Sequence, residues 1–160
     1  MAKRKRAARA RRPSRARRPS RSMALGGGPR TCAAGVCDPR RTQGLKAPAP
    51  QATHLLVNLE GPGVFLGAMV SKQGGTNDLT FVILDIDGRN VTNISYAAAR
   101  NLGLFGQNPF GLVVSVTGLL KTLTVGFPTP LRFERSLRLS VKVSEPSVVQ
   151  ILANVVHGSA

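Results

Sequence analysis

From residue 131 to residue 144 apolar and polar side chains alternate with a period of two. Leu131, Phe133, Leu137, Leu139, Val141 and Val143 hold odd positions, while Arg132, Glu134, Ser136, Arg138, Ser140, Lys142 and Ser144 hold even ones. A helix needs apolar residues three and four apart, so this pattern predicts a strand with one face in a core and the other in water. Just before it, Leu123, Val125 and Phe127 alternate with Thr122, Thr124 and Gly126, and Pro128-Thr129-Pro130 is expected to turn this strand back into the next. The centre of the chain is therefore antiparallel β. Arg135 interrupts the inward face, and a 14-residue strand is long, so a bulge or bend is expected at Glu134-Arg135-Ser136.

Other stretches agree. Leu55, Val57 and Leu59 alternate, Gly61-Pro62-Gly63 turns, and residues 64–71 continue, which predicts a hairpin. Residues 79–87 are apolar on both faces through Leu84, the mark of an interior strand, and Asp87-Gly88-Arg89-Asn90 predicts a tight turn into 91–94. Ser95 reads as the cap of one short helix over 96–102, stopped by Gly103. Strands follow at 112–117 and, after Ser144-Glu145-Pro146-Ser147, at 148–157. Eight or nine short strands with one small helix give an all-β fold, an antiparallel β-sandwich, and the eight-strand jelly roll fits the count best.

Charge divides the chain. Residues 1–50 hold 15 Lys and Arg and a single acid, Asp38, for a net +14, whereas residues 51–160 hold 8 basic and 6 acidic residues. The expected organisation is an Arg-rich disordered arm over 1–22, a Gly/Pro/Ala-rich linker over 23–51 and a sandwich over 52–160. The arm repeats Ala-Arg-Arg-Pro-Ser-Arg at 10–15 and 16–21 and has almost nothing to bury. Lys3, Arg4, Lys5, Arg6, Arg9, Arg11, Arg12, Arg15, Arg17, Arg18 and Arg21 are the candidate nucleic-acid contacts. Guanidinium groups suit phosphate, and with no interleaved aromatics the arm should bind backbone without reading sequence. Other uses of such a run stay open: a nuclear-localisation patch at 3–6, a transit peptide, adhesion to anionic membranes, or an upstream stretch preceding a start at Met23. The two Arg-Arg-Pro-Ser units also resemble basic-directed kinase sites.

Little points to catalysis or to a cofactor. His54 and His157 are the only neutral-pH acid/base candidates, and no Ser or Cys sits in a nucleophile-elbow context. Asp85-Ile86-Asp87-Gly88 resembles the start of a calcium loop but lacks the third acidic position and the terminal Glu, so a polar turn is the expectation and no metal is assigned. Cys32 and Cys37 have neither redox-motif spacing nor a second Cys/His pair for zinc, and free thiols in a reducing compartment are expected. No apolar run reaches transmembrane length and no secretory h-region is evident, so Asn90-Val91-Thr92 and Asn93-Ile94-Ser95 read as ordinary strand and turn residues.

Self-association is the better-supported expectation. The 110 residues from Gln51 onward carry 14 charged side chains, about half the density usual on a soluble monomer. The last strand is apolar on both sides, with Val149, Ile151, Ala153 and Val155 expected inward and Val148, Leu152 and Val156 expected outward against another subunit.

An Arg-rich arm, a Pro/Gly linker and a jelly-roll-like body together resemble the coat proteins of small icosahedral viruses. The phrases Leu84-Asp85-Ile86-Asp87-Gly88 and 126–133, GFPTPLRF, also look like small phage head-decoration or fibre domains. The resemblance implies a non-enzymatic virion protein, found in the host cytoplasm or nucleus during assembly. It would self-associate as a trimer or larger shell, contact nucleic acid through its arm, and meet other virion proteins but no membrane. The rival is a cellular nucleic-acid-compacting protein with a protamine-like tail. A carbohydrate- or ligand-binding sandwich ranks last, because the chain has no Trp and one Tyr.

Overall fold

The structure is a computed structural model that describes Cys32, Ala33 and residues 36–159. Eleven strands and one helix follow in chain order: β1 (Cys32–Ala33), β2 (Val36–Lys46), β3 (Thr53–Glu60), β4 (Gly63–Gly74), β5 (Thr80–Ile86), β6 (Arg89–Ser95), α1 (Tyr96–Asn101), β7 (Leu112–Thr117), β8 (Leu120–Val125), β9 (Leu131–Phe133), β10 (Ser136–Val143) and β11 (Val148–Ser159). They form two antiparallel sheets, β1-β2-β11-β4-β8-β7 with β9 also on β4, and β3-β10-β5-β6. The strands β2-β11-β4-β8 facing β3-β10-β5-β6, with the chain crossing between sheets at nearly every connection, make a jelly roll.

The alternation at 131–143 is realised residue by residue. Leu137, Leu139, Val141 and Val143 are buried while Arg138 and Lys142 are exposed. Facing them from the larger sheet are Val70, Leu123, Ile151, Ala153 and Val155, all fully buried, so one continuous apolar layer holds the two sheets together. The interior strand expected at 79–87 is β5, paired on both sides by β10 and β6. The expected helix is present: Ser95 Oγ accepts the Ala98 N–H at 3.0 Å, and Gly103 takes the left-handed conformation (φ 68°) at its end. Its Tyr96 is buried and donates its hydroxyl to the Val70 carbonyl at 2.8 Å, pinning the helix across the two layers.

Connectivity departs from expectation in four places. The stretch 131–144 is not one strand: the bend expected at Glu134-Arg135-Ser136 is present at Glu134-Arg135 but breaks the strand there, leaving β9 on β4 and β10 in the other sheet. Nor do β8 and β9 form a hairpin across the Pro-Thr-Pro break: they lie one after the other along the same edge of β4. Similarly β3 and β4, expected as a hairpin, belong to opposite sheets, and Gly61-Pro62 is the corner between them. The two corners touch. Gly61 N–H donates to the Arg135 carbonyl at 2.7 Å, and a Cβ on Gly61 would lie 2.6 Å from the Glu134 carbonyl oxygen, closer than atoms can approach. Alternation specifies which face of a strand is apolar, and both a hairpin and a corner satisfy it; the Gly-Pro-Gly sequence fits either.

The fourth correction concerns residues 36–46, expected as linker. They form β2, hydrogen-bonded along β11 from Lys46 opposite Ile151 to Cys37 opposite Ser159. Its inner face carries Thr42 and Gly44 rather than large apolar residues, because β3 passes directly beneath: a Cβ on Gly44 would fall 2.1 Å from the Leu56 carbonyl oxygen. The close approach removes the hydrophobic period that would have revealed the strand. Cys32 and Cys37 are paired as a disulfide between the cross-strand partners of β1 and β2, not free thiols.

Candidate interaction surfaces and the buried ion cluster

Three regions concentrate the chemistry-bearing side chains: the outer face of the larger sheet, the end of the sandwich where β2 begins, and the opposite end, where charge is buried. The arm residues from Lys3 to Arg21 lie outside the described residues.

On the larger sheet, β11 runs between β2 and β4. Of the three side chains expected outward, Leu152 (36 % exposed) and Val156 (38 % exposed) are on the solvent face, but Val148 is only 6 % exposed and belongs to the core. The register shifts between Val148 and Gln150, so the parity of the strand reverses there and Val149, at 57 % exposed, takes the outward place. A bulge leaves no trace in an apolar run such as Val148-Val149, so the sequence carried no signal for it. Two residues that sequence reasoning missed complete the patch. Leu45, 63 % exposed, is the direct partner of Leu152 across β2, and Met69 is the partner of Asn154 across β4. A shallow groove of about 400 Å³ runs beside them, lined by Leu66, Gly67, Met69, Thr124 and Val156, with Arg41 as its one charged residue.

At the opposite end the cluster is closed. Lys72, fully buried on the inner face of β4, pairs with Asp78 Oδ1 at 3.0 Å and with Glu145 Oε1. Asp78 also binds Lys121 and, at 2.7 Å through Oδ2, Arg100 of α1. Glu145 accepts the Thr80 hydroxyl at 2.6 Å and the backbone N–H groups of Asn77 and Asp78 at 3.1 and 3.0 Å. Among the described residues no buried side-chain nitrogen or oxygen lacks a partner. The arrangement ties β4, β8, α1, the β4–β5 loop and the β10–β11 turn into one unit. It resembles a fastening rather than a reaction centre: the two carboxylates are saturated by donors.

Burial by itself raises the Asp78 carboxyl, but Lys121, Lys72 and Arg100 outweigh it and hold the value at about 2. Glu145 is likewise opposed by burial and lowered on balance by Lys72, Thr80 and the Asn77 N–H. Carboxyls lowered in the folded state stabilise it above their ordinary values and lose that contribution as pH falls through the folded ones. The unfolding free energy measured in urea is therefore expected to hold down to about pH 4 and to drop between about pH 4 and pH 2, by about 2 kcal/mol from Asp78 alone. A value unchanged at pH 2.5 would contradict this role for the cluster.

The other candidates are accounted for locally. Asp87 (φ 52°) and Gly88 (φ 81°) form the β5–β6 turn, and the Asp87 carboxylate accepts the N–H groups of Glu134, Arg135 and Ser136 at 2.9, 2.7 and 3.0 Å. Those bonds hold its carboxyl below the usual range. Asp85 accepts from Asn90 Nδ2 at 2.9 Å. Among the described residues no group of three His, Cys, Asp or Glu could hold a metal ion. His54 Nε2 lies 2.8 Å from the Pro50 carbonyl oxygen, and His157 Nε2 lies 2.9 Å from Thr42 Oγ1. Burial, then Arg40, lower the His157 value. No helix of the described residues is long and apolar enough to cross a membrane. No protein-family model and no curated protein matches the chain.

Proposed function

We infer that the chain is a structural protein of a virion, a shell subunit or a subunit bound to a shell. Its sandwich packs against further copies, and its Arg-rich arm neutralises nucleic acid. The observation that carries this reading is the uncovered outer face of β11: Leu152 and Val156, extended by Leu45 and Met69, form an apolar surface in the middle of a sheet, where a monomer has no cover for it. The jelly-roll topology supports it, since this architecture recurs in capsid domains. So does the separation of charge, with +14 in residues 1–50 and a nearly neutral remainder.

The arm is tested by salt. If about ten of its cations each neutralise one phosphate, log K against log salt falls with a slope of about −7 on single strands and about −9 on duplex. Deleting residues 1–22 is expected to remove most of that dependence and leave the urea midpoint unchanged. A slope near −2, or a strong preference for one sequence, would contradict the reading.

A further inference from the structure

The end of the sandwich from which β2 starts carries a second cationic feature, separate from the arm. The β5–β6 turn and the β9–β10 corner meet there, locked by the three N–H groups that Asp87 accepts and by Arg135 Nη2, which donates to the Asp87 carbonyl at 2.8 Å. Between them lies a depression of about 510 Å³ lined by Arg89, Arg132, Arg135 and Asp87, with Ile86, Val91 and Leu131 as its apolar wall. Three guanidinium groups thus share one hollow with one carboxylate, whose lone pairs are turned to backbone N–H groups. Every ion pair among the described residues belongs to the cluster at the other end, and none involves these arginines.

We propose that the hollow of Arg89, Arg132 and Arg135 binds a backbone phosphate of the nucleic acid that the arm engages. Arginine presents a planar fork of donors that matches phosphate oxygens, and three of them leave the hollow net positive after Asp87 is counted. The corner holds them on a rigid frame, so little ordering is needed on binding, unlike a chain without structure of its own. The hollow lies at the same end of the body as the start of β2. β2 starts at Val36, Ser159 at the end of β11 is the partner of Cys37, and Gly63 at the start of β4 is the partner of Phe133 in β9.

The site rests on the nucleic-acid reading of the arm, and its test separates the two. The full chain is treated with phenylglyoxal, which modifies exposed arginine, with and without a short single-stranded oligonucleotide, and modification is read peptide by peptide. Modification at Arg89 and Arg132 is expected to slow at least threefold with oligonucleotide and to recover in high salt, while Arg138, on the outer face of β10, is unchanged. Inorganic phosphate at high concentration should protect the same two positions. The pair Arg89→Gln with Arg132→Gln, which leaves the Arg135 contact intact, is expected to make the single-strand salt slope shallower by about 0.7, the share of one phosphate. The pair Arg138→Gln with Lys142→Gln, of equal charge, should change it by less than half as much. Equal rates at Arg89, Arg132 and Arg138, or equal slopes for the two pairs, would overturn the site while leaving the arm's role standing. Protection by phosphate in a protein that binds no nucleic acid would do the reverse, keeping a phosphate hollow and removing the proposed partner.

Discussion

Replacing Glu145 by Ala is expected to cost about 3–5 kcal/mol. The loss comes from what remains. Lys72 is fully buried and would keep only Asp78, which Lys121 and Arg100 already share, while Thr80 and the N–H groups of Asn77 and Asp78 would lose their acceptor. Most domains of this size have only 5–15 kcal/mol in hand, so the variant should be partly unfolded at 37 °C. Exchanging both partners, Lys72→Met with Glu145→Gln, removes the buried charge pair together and should recover a large part of the loss. Urea denaturation of the three proteins measures this directly. A single variant within about 1 kcal/mol of the parent would mean that the cluster is ornamental.

The second large effect concerns assembly rather than folding. Leu152→Asp places a carboxylate in the middle of the apolar outer face, where Leu45 is its cross-strand partner. If that face is covered by a neighbouring subunit, burying an unpaired charge costs about 3 kcal/mol per contact, on the order of a hundredfold in association. The fold should survive, because Leu152 points to solvent within the subunit. Val148→Asp is the contrast: Val148 is core, so that variant should lose stability in urea rather than merely dissociate. A Leu152→Asp protein that is folded and assembles like the parent would move the contact to another surface.

Those two substitutions also mark how far the sequence could be read. Strand faces, the interior position of β5 and the helix capped by Ser95 were legible because alternation and capping are local signals. Val148 and Val149 each take the face opposite to the expected one because a bulge inside an apolar run is silent, while Ile151, Leu152, Ala153, Val155 and Val156 keep theirs. β2 was invisible for a different reason: its inner surface needs Gly44 where β3 presses against it, so packing itself erased the pattern. The sheet-switching corners at Gly61 and Glu134-Arg135 are long-range facts: Asp87 reaches forty-eight residues along the chain to Arg135, and Gly61 N–H bonds the Arg135 carbonyl. Nothing local announces them. The buried cluster was missed as well, since Lys72 follows the strand expected over 64–71 and Glu145 sits in the turn at 144–147, and only the fold brings them together.

In the proposed function the body assembles and its arm carries nucleic acid into the assembly. Light scattering together with electron microscopy of the full chain, with and without added single-stranded nucleic acid, tests it most directly. The account predicts particles of uniform diameter, formed or strongly favoured on adding nucleic acid, with the enclosed strand protected from nuclease. A monodisperse 16.9 kDa monomer that coats nucleic acid without forming particles and leaves it open to nuclease would contradict it.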